Sequence, residues 1–431
     1  MIAVEEKLNL AAKPGMQFGL ERMQYFLSWF HHPEEKIKAI HVGGTNGKGS
    51  TVNFLRMLLQ EAGYRIGTFT SPAVLNFYEQ IAINGHFISE QELQILWQRL
   101  YPCIKEMQGL SIGGPTQFEM LTMLAILFFA EYAKPDFCIF EVGLGGETDS
   151  TNVICPILTM ITTISLEHTQ ILGNTIQEIA AKKAGIIKPN VPFLTTVQSP
   201  EAQAVLQIAA DKKSAPFFPV SLTGFEMRAI NFMKTEVRCT KEGPLLNQSF
   251  FLRMPGLHQV QNAVLALHAL WQLQHMESFS LCQEKIFRAL EQTVLPGRME
   301  IGMSPYVYLL DGAHNIEGIE KLTATVQTYL PNMKKKLLFS ASSDKNHQEM
   351  IYKLHEITDD IGITTFGFYR SLSETQAVSL ATYMGIKYVK DYKDWLQDIP
   401  CENDQVVIIT GSLYFISEVR NFLHSLGKEV C

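Results

Sequence analysis

His41-Val42-Gly43-Gly44-Thr45-Asn46-Gly47-Lys48-Gly49-Ser50-Thr51 decides how this chain is read. The apolar run 37–42 ahead of it predicts a short buried strand. Behind it, Val52, Leu55, Leu58, Leu59 and Ala62 recur at helical spacing, and Gly63 follows as a C-cap. A strand, a glycine loop and a helix N-terminus together make an anion site. The glycines let backbone N–H groups converge, the helix dipole favours negative charge, and Lys48 adds a mobile cation. The familiar phosphate-loop pattern places Ser or Thr directly after the lysine, whereas here Gly49 intervenes before Ser50. A plain glycine turn needs neither lysine nor hydroxyls. The stretch therefore predicts phosphate binding by Asn46, Gly47, Lys48, Gly49, Ser50 and Thr51.

The chain around this loop is long and well filled. Its 431 residues exceed one ordinary core, so two or three domains are expected. Apolar residues at 46% and charged residues at 18% describe a packed globular protein. The net charge of −7 and the lack of a basic arm argue against nucleic-acid binding. Cys103, Cys138, Cys155, Cys239, Cys282, Cys401 and Cys431 are scattered without a CxxC pair, which fits reduced thiols in a cytoplasmic protein. The first ten residues hold no secretory apolar region, and the greasy run 121–130 is too short to span a bilayer. A soluble cytoplasmic monomer without membrane contact is expected.

Outward from the loop, Phe18, Leu20, Met23, Phe26, Leu27 and Phe30 predict an amphipathic helix before the first strand. A second strand at 64–70 ends in Thr70-Ser71-Pro72, and Asn84-Gly85 reads as a hairpin turn. Ser89 opens a helix with Glu90 and Glu92 in its first turn. After Gly113-Gly114-Pro115 comes a long apolar helix, 118–131. The run 136–142 reads as a central parallel strand with Glu141 at its carboxyl end, and another strand, 157–164, leads into 165-SLEHTQILGNT. Thr175 with Glu178 forms a capping box for a helix to about Ala184. Alternation of this kind predicts an α/β fold with a mostly parallel sheet and ligands at the strand carboxyl ends. Residues 217–253 suggest a small antiparallel sheet, and 256–270 a further helix. Leu295 to Glu300, "LPGRME", marks the expected boundary: an ATP-binding P-loop domain over 1–295 and a smaller Rossmann-like α/β domain over 296–431, with strands near 306–310, 336–340, 362–368, 386–389 and 405–410.

Phosphate loop, Ser71, Glu141 and His168 all fall at the carboxyl edge of the first sheet. A nucleotide triphosphate needs a hard cation, and Mg²⁺ takes oxygen from a hydroxyl, a carboxylate and phosphate, which Ser71 and Glu141 supply. His168 is a softer ligand and on its own reads as a satisfied structural histidine. Lys183 on its own reads as a solvated helix lysine, and Gln259 with Asn262 as a polar stripe on a packed helix. Arg298 sits where it could pair with phosphate oxygens. Asp311-Gly312-Ala313-His314-Asn315, at the carboxyl end of a strand, could be a turn with a helix cap.

"HVGGTNGKGST", "FTSP" (Phe69 to Pro72), "GLERM" (Gly19 to Met23), "TISLEHTQILGNT", "AAKKAGIIKP", "PGRME" with "DGAHN", and "ITGSLYFISEVR" (Ile409 to Arg420) together resemble the folylpolyglutamate synthases, ATP-dependent ligases of the Mur ligase superfamily. The motifs stand in family order along nearly the whole chain. The resemblance implies a second magnesium at His168 and a carbamate on Lys183. It also implies nucleotide contacts from Gln259 and Asn262, a ribose contact from Asp311, and His314 near the reacting phosphate. The chain departs from the family at Ala73 for a histidine, Gln80 for an arginine and Glu147 for an arginine. Lys182 replaces a glutamate, and Glu167 and Gln170 replace aspartates.

The reaction implied is addition of L-glutamate to a folate. ATP phosphorylates the terminal carboxylate, Lys48 and two Mg²⁺ stabilise the transferring group, the glutamate amine attacks, and phosphate leaves. Domain closure is expected to expel water. Alternatives are a bifunctional dihydrofolate synthase/folylpolyglutamate synthase, another Mur-type ligase, and a ligase-dead ATP-binding homologue. "TNGKGS" and "DGAHN" argue against a peptidoglycan ligase, and retention of Ser71, Glu141, His168 and Lys183 argues against loss of catalysis. The Glu147 anion is expected to disfavour the small substrate dihydropteroate.

Overall fold

The computed structural model describes residues 3–429 apart from 14, 16, 18 and 242–244. Phe18 and Cys431 lie outside the described residues. The expected helix before the first strand is observed as Glu21–Trp29, with Leu20 and Phe30 flanking it as its end caps.

Eight strands make the first sheet: β1 (Ala39–Gly43), β2 (Ile66–Phe69), β3 (Ile81–Ile83), β4 (His86–Phe87), β5 (Phe137–Glu141), β6 (Pro156–Ile161), β7 (Phe193–Thr195) and β8 (Phe217–Pro219), in spatial order β4-β3-β2-β5-β1-β6-β7-β8. From β2 to β8 the pairing is parallel, and every residue of β1, β2 and β5 is buried. Continuous apolar runs are the mark of strands covered on both faces. The register sets Val42 beside Glu141 and Gly43 beside Ile161. Asn84 and Gly85, with φ of 52° and 80°, turn the β3–β4 hairpin as read from sequence. The capping boxes at Ser89/Glu92 and Thr175/Glu178 are formed. The expected helix 118–131 instead runs Gln117–Leu127 and loosens into a π-helical turn, Phe128–Ala133.

A three-stranded antiparallel sheet follows: β9 (Phe225–Asn231), β10 (Lys234–Cys239) and β11 (Ser249–Leu252), in order β11-β10-β9. The segment 217–219 is not part of it. It joins the large sheet as β8, with the Phe217 ring stacked 5.3 Å from that of Phe193 on β7. The third sheet holds β12 (Glu300–Gly302), β13 (Tyr308–Asp311), β14 (Lys334–Phe339), β15 (Ile361–Ile363), β16 (Lys387–Tyr388) and β17 (Gln405–Thr410), in order β12-β13-β17-β14-β15-β16. All pair parallel except β12, an antiparallel edge strand that the sequence reading did not resolve from the boundary motif.

Residue contacts divide the chain into two compact units, 1–223 with 261–290, and 224–260 with 291–431. The small antiparallel sheet thus groups with the C-terminal residues. Ala229 and Phe232 pack on the core that contains Leu322, Val326 and Tyr329. The Thr235 hydroxyl meets Tyr329 OH at 2.6 Å.

Candidate functional site

In the first unit the anion loop is built on β1 and steadied by β6. Gly44 (φ 139°) and Gly47 (φ 87°) take conformations closed to L side chains. They also leave no room: a Cβ on Gly44 would lie 1.9 Å from Thr162 Oγ1, and one on Gly47 would lie 2.3 Å from Asn262 Oδ1. Asn262 is thereby placed against the loop. Thr45 N donates to Thr163 O at 2.7 Å, Asn46 N to Thr163 Oγ1 at 3.0 Å, and the Thr162 hydroxyl to Asn46 O at 2.7 Å. The helix Lys48–Glu61 starts directly after Gly47, so its first-turn N–H groups face the loop. Lys48 Nζ donates to Gly44 O and Thr45 O, both at 3.0 Å, folded over the loop as a movable cation. Ser50 and Thr51 are buried at the helix start, and the Thr51 N–H bonds Gly47 O.

Ser71, Glu141 and His168 come at or after the carboxyl ends of three strands near β1: Ser71 lies two residues beyond β2, Glu141 ends β5, and His168 comes after β6. Glu141 is 5% exposed and accepts from Ser71 N at 3.3 Å, which joins hydroxyl residue and carboxylate. His168 has a left-handed φ of 49° at the start of the turn Thr169–Leu172, and its Nε2 is 3.9 Å from Glu167 Oε1. A hydroxyl and a carboxylate beside an anion loop suit a hard cation whose remaining ligands are phosphate and water. The imidazole, with Glu167 beside it, can hold a second. Among the described residues, the tight cluster of three metal-capable side chains is instead His32, Glu34 and Glu35, before β1.

Lys183 does not face solvent. It is 4% exposed on the helix Ile176–Ala184, and its Nζ donates to Gly44 O at 2.9 Å, the carbonyl that also receives Lys48. A carbamate keeps one N–H on that nitrogen, so the bond to Gly44 is compatible with either form. The glycine loop 143–146 grips this helix end. Glu147 N donates to Lys182 O at 2.9 Å, and Asn152 Nδ2 bridges Glu147 O and Gly185 O at 3.0 and 3.2 Å. Two departures from the family meet here: Lys182 Nζ lies 2.9 Å from Glu147 Oε2, both half-exposed. The glutamate and arginine usual at these positions have exchanged signs, and the charge of Glu147 is matched locally. The expected repulsion of a small anionic substrate by Glu147 loses its basis.

Sequence reasoning missed the support beneath the loop. His41 Nε2 meets Thr151 Oγ1 at 2.8 Å, and that hydroxyl donates to Asp149 Oδ1. Asp149 also accepts from Leu144 N at 2.8 Å and Thr151 N at 3.0 Å. Burial raises the Asp149 pKa, opposed by these donors and by the Lys48 charge. Burial, then the Lys188 charge, lowers that of His41 to about 3. The signal lay in the stretch 143-GLGGETDSTN-152, where an aspartate two residues before a threonine follows a glycine loop.

The second unit carries its own set. Asp311, 7% exposed at the end of β13, accepts from Met299 N at 2.8 Å and Ala313 N at 2.9 Å. Burial raises its pKa, with Arg298 the leading opposing influence. Arg298 Nη1 reaches Gly312 O at 3.5 Å, and His314 Nδ1 lies 2.8 Å from the same carbonyl. Asn315 caps the helix Ile316–Tyr329. Arg298, Asp311 and His314 are therefore brought together around one turn.

Comparison with known proteins identifies the family and the fold. The Mur ligase middle domain matches residues 42–270. The chain is 41% identical over 430 residues to "Dihydrofolate synthase/folylpolyglutamate synthase" of Bacillus subtilis, covering 97% of each. The crystal structure of folylpolyglutamate synthase from Thermotoga maritima superposes with a TM-score of 0.83 at 30% identity, over 98% of this chain and 96% of that one. The Mycobacterium tuberculosis folylpolyglutamate synthase complexed with ADP gives 0.87 at 26%, over 97% of both. With the Mur ligase middle domain over residues 42–270 and relatives matched along almost its whole length, this protein belongs to the folylpolyglutamate synthase/dihydrofolate synthase family of the Mur ligase superfamily.

Proposed function

We propose that the protein is an ATP-dependent ligase that adds L-glutamate to the terminal glutamate carboxylate of a folate. The observation that carries this is the convergence of the phosphate loop, Ser71, Glu141 and buried Lys183 at one sheet edge. When bound, magnesium held by Ser71 and Glu141, with a second ion at His168, supplies neutralisation of phosphate charge. Asn46, Gly47, Gly49, Ser50, Thr51 and Asn262 bind and orient the nucleotide. Lys48, freed from its two carbonyls, follows the γ-phosphoryl group as it passes to the folate carboxylate. The resulting acyl phosphate is attacked by the glutamate amine, phosphate leaves, and an amide remains. Lys183, as the carbamate formed with CO₂ after loss of its ammonium protons, would present an anion in place of a cation near the residues that would hold magnesium. Arg298 pairs with phosphate oxygens, Asp311 holds the ribose, and His314 serves the reacting phosphate.

Dihydropteroate as an additional acceptor is favoured by the Glu147–Lys182 pair, which removes the repulsion that would have excluded it. We also propose a cytoplasmic, monomeric protein. No described helix is long and apolar enough to cross a membrane. Phosphate release from ATP that requires both glutamate and an acceptor tests the ligase reading. Release that ignores glutamate refutes it, and comparing dihydropteroate with tetrahydrofolate as acceptor separates one activity from two.

A further inference from the structure

The C-terminal motif "ITGSLYFISEVR" has no role so far, yet its two ends touch both turns of the second-unit set. At its start, Gly411 N donates to Ala313 O at 3.0 Å and the Thr410 hydroxyl to the same carbonyl at 3.4 Å. Leu413 packs so closely on Gly312 that a Cβ there would lie 2.1 Å from Leu413 Cδ2. At its far end, Arg420 Nε donates to both carboxylate oxygens of Glu300, at 2.8 and 3.1 Å, with the two side chains only 20% and 19% exposed.

Glu300 in turn holds the turn that carries Arg298. Its Oε2 accepts Gly297 N at 2.7 Å. Gly297 (φ 67°) and Met299 (φ 48°) flank Arg298 in left-handed conformations, which a chain adopts only under tertiary constraint at a residue such as Met. The turn is also held by Arg298 N on Leu295 O at 3.2 Å, Met299 N on Asp311 Oδ2 at 2.8 Å and Gly312 N on Gly297 O at 2.8 Å. Without the Glu300 carboxylate the Gly297 N–H at the start of the turn loses its acceptor. Without Arg420 the half-buried Glu300 carboxylate loses its charge partner and is drawn toward water.

We propose that Arg420 and Glu300 are positioning residues for Arg298: the pair locks the 297–299 turn so that the guanidinium stands beside the Asp311–His314 turn in a phosphate-binding pose. This rests on the reading of Arg298 as a phosphate contact. Loss of the lock leaves Arg298 chemically intact but mobile, so the ordering must be supplied when nucleotide binds. Affinity for ATP weakens while the chemical step, once the complex forms, changes little.

The test is a double-mutant cycle in the full-length enzyme. KM for ATP, kcat, KM for the folate, Kd for a non-hydrolysable ATP analogue and Tm are measured for Arg420→Lys, Glu300→Gln, Arg298→Ala and the two doubles carrying Arg298→Ala. Lysine keeps the charge but not the two-oxygen contact through Nε, and Glu300→Gln is the second route should the first variant fold poorly. Either single change should raise KM for ATP and the analogue Kd about tenfold, with kcat and folate KM within about twofold. In the Arg298→Ala background the same changes should add less than about twofold, because the object of the lock is gone. A merely structural pair would instead lower Tm and give the same penalty with or without Arg298. Additive effects, or unchanged ATP binding in both single variants, overturn the proposal. Arg298→Ala with unchanged ATP binding overturns the phosphate role itself and the lock with it, an outcome visible in that variant alone.

Discussion

Replacing Gly44 by alanine should break the link between the phosphate loop and the strand that supports it. At φ 139° a methyl-bearing residue is strained, and its Cβ would stand 1.9 Å from Thr162 Oγ1 and 3.0 Å from Thr162 N. The hydroxyl can rotate away, but it already donates to Asn46 O at 2.7 Å, and the backbone nitrogen cannot move without β6. Backbone strain of about 1–3 kcal/mol and one lost hydrogen bond of about 1 kcal/mol give roughly 2–4 kcal/mol. Where that cost falls depends on whether the loop holds its shape. If it holds, stability drops, by about 2–4 °C in Tm for each kcal/mol in a unit of this size. If it yields, the Gly44 carbonyl shifts, and with it the site where Lys48 and Lys183 both donate. Nucleotide affinity then weakens by a factor of roughly 30 to 1000. Scanning calorimetry with ATP-dependent phosphate release on one preparation distinguishes the two. A Gly44→Ala enzyme with unchanged Tm and a kcat/KM for ATP within about threefold of the parent would refute the reasoning.

Lys48→Ala and Glu141→Ala should each fold normally and lose more than about nine-tenths of kcat, a barrier increase above ~1.4 kcal/mol. Lys183→Ala should lose turnover and regain part of it with added short carboxylates that replace the carbamate; no rescue, together with an unmodified lysine in a nucleotide-bound crystal structure, would dismiss that group. Single charge reversals at Glu147 or Lys182 should cost a few-fold in kcat, as an exposed pair of about 0.2–1 kcal/mol allows, and the double exchange E147K/K182E should restore it. Equal losses in the single and double variants would detach the pair from catalysis. Unfolded His41 takes up a proton near pH 6.5, whereas the buried ring resists until about 3, so stability present at neutral pH is lost as pH falls through that window. Urea titrations should show the parent losing about 1.4 kcal/mol more than His41→Gln for each unit below 6.5, and equal losses would show that the ring does not resist protonation.

The sequence alone determined what is local. Glycines at 44 and 47, a lysine after them and a helical period behind them define an anion loop, because chirality and hydrogen-bond geometry leave few other uses for that pattern. Glu141 at a strand end, the Thr175/Glu178 cap and the Asn84-Gly85 turn were legible for the same reason: each depends on neighbours within a few residues. Tertiary structure decided whatever depends on which distant segments meet. A helix lysine reads as solvated until its Nζ is found on Gly44 O, 139 residues away in sequence. Glu147 reads as an isolated anion until Lys182 closes on it. The small sheet β9–β11 gives no sign in its own pattern that it packs with residues beyond 291. Asp149 and Arg420 were visible only as letters in a motif, because a buried carboxylate and a half-buried ion pair acquire their roles from the groups that desolvate and face them, and composition does not record who those partners are.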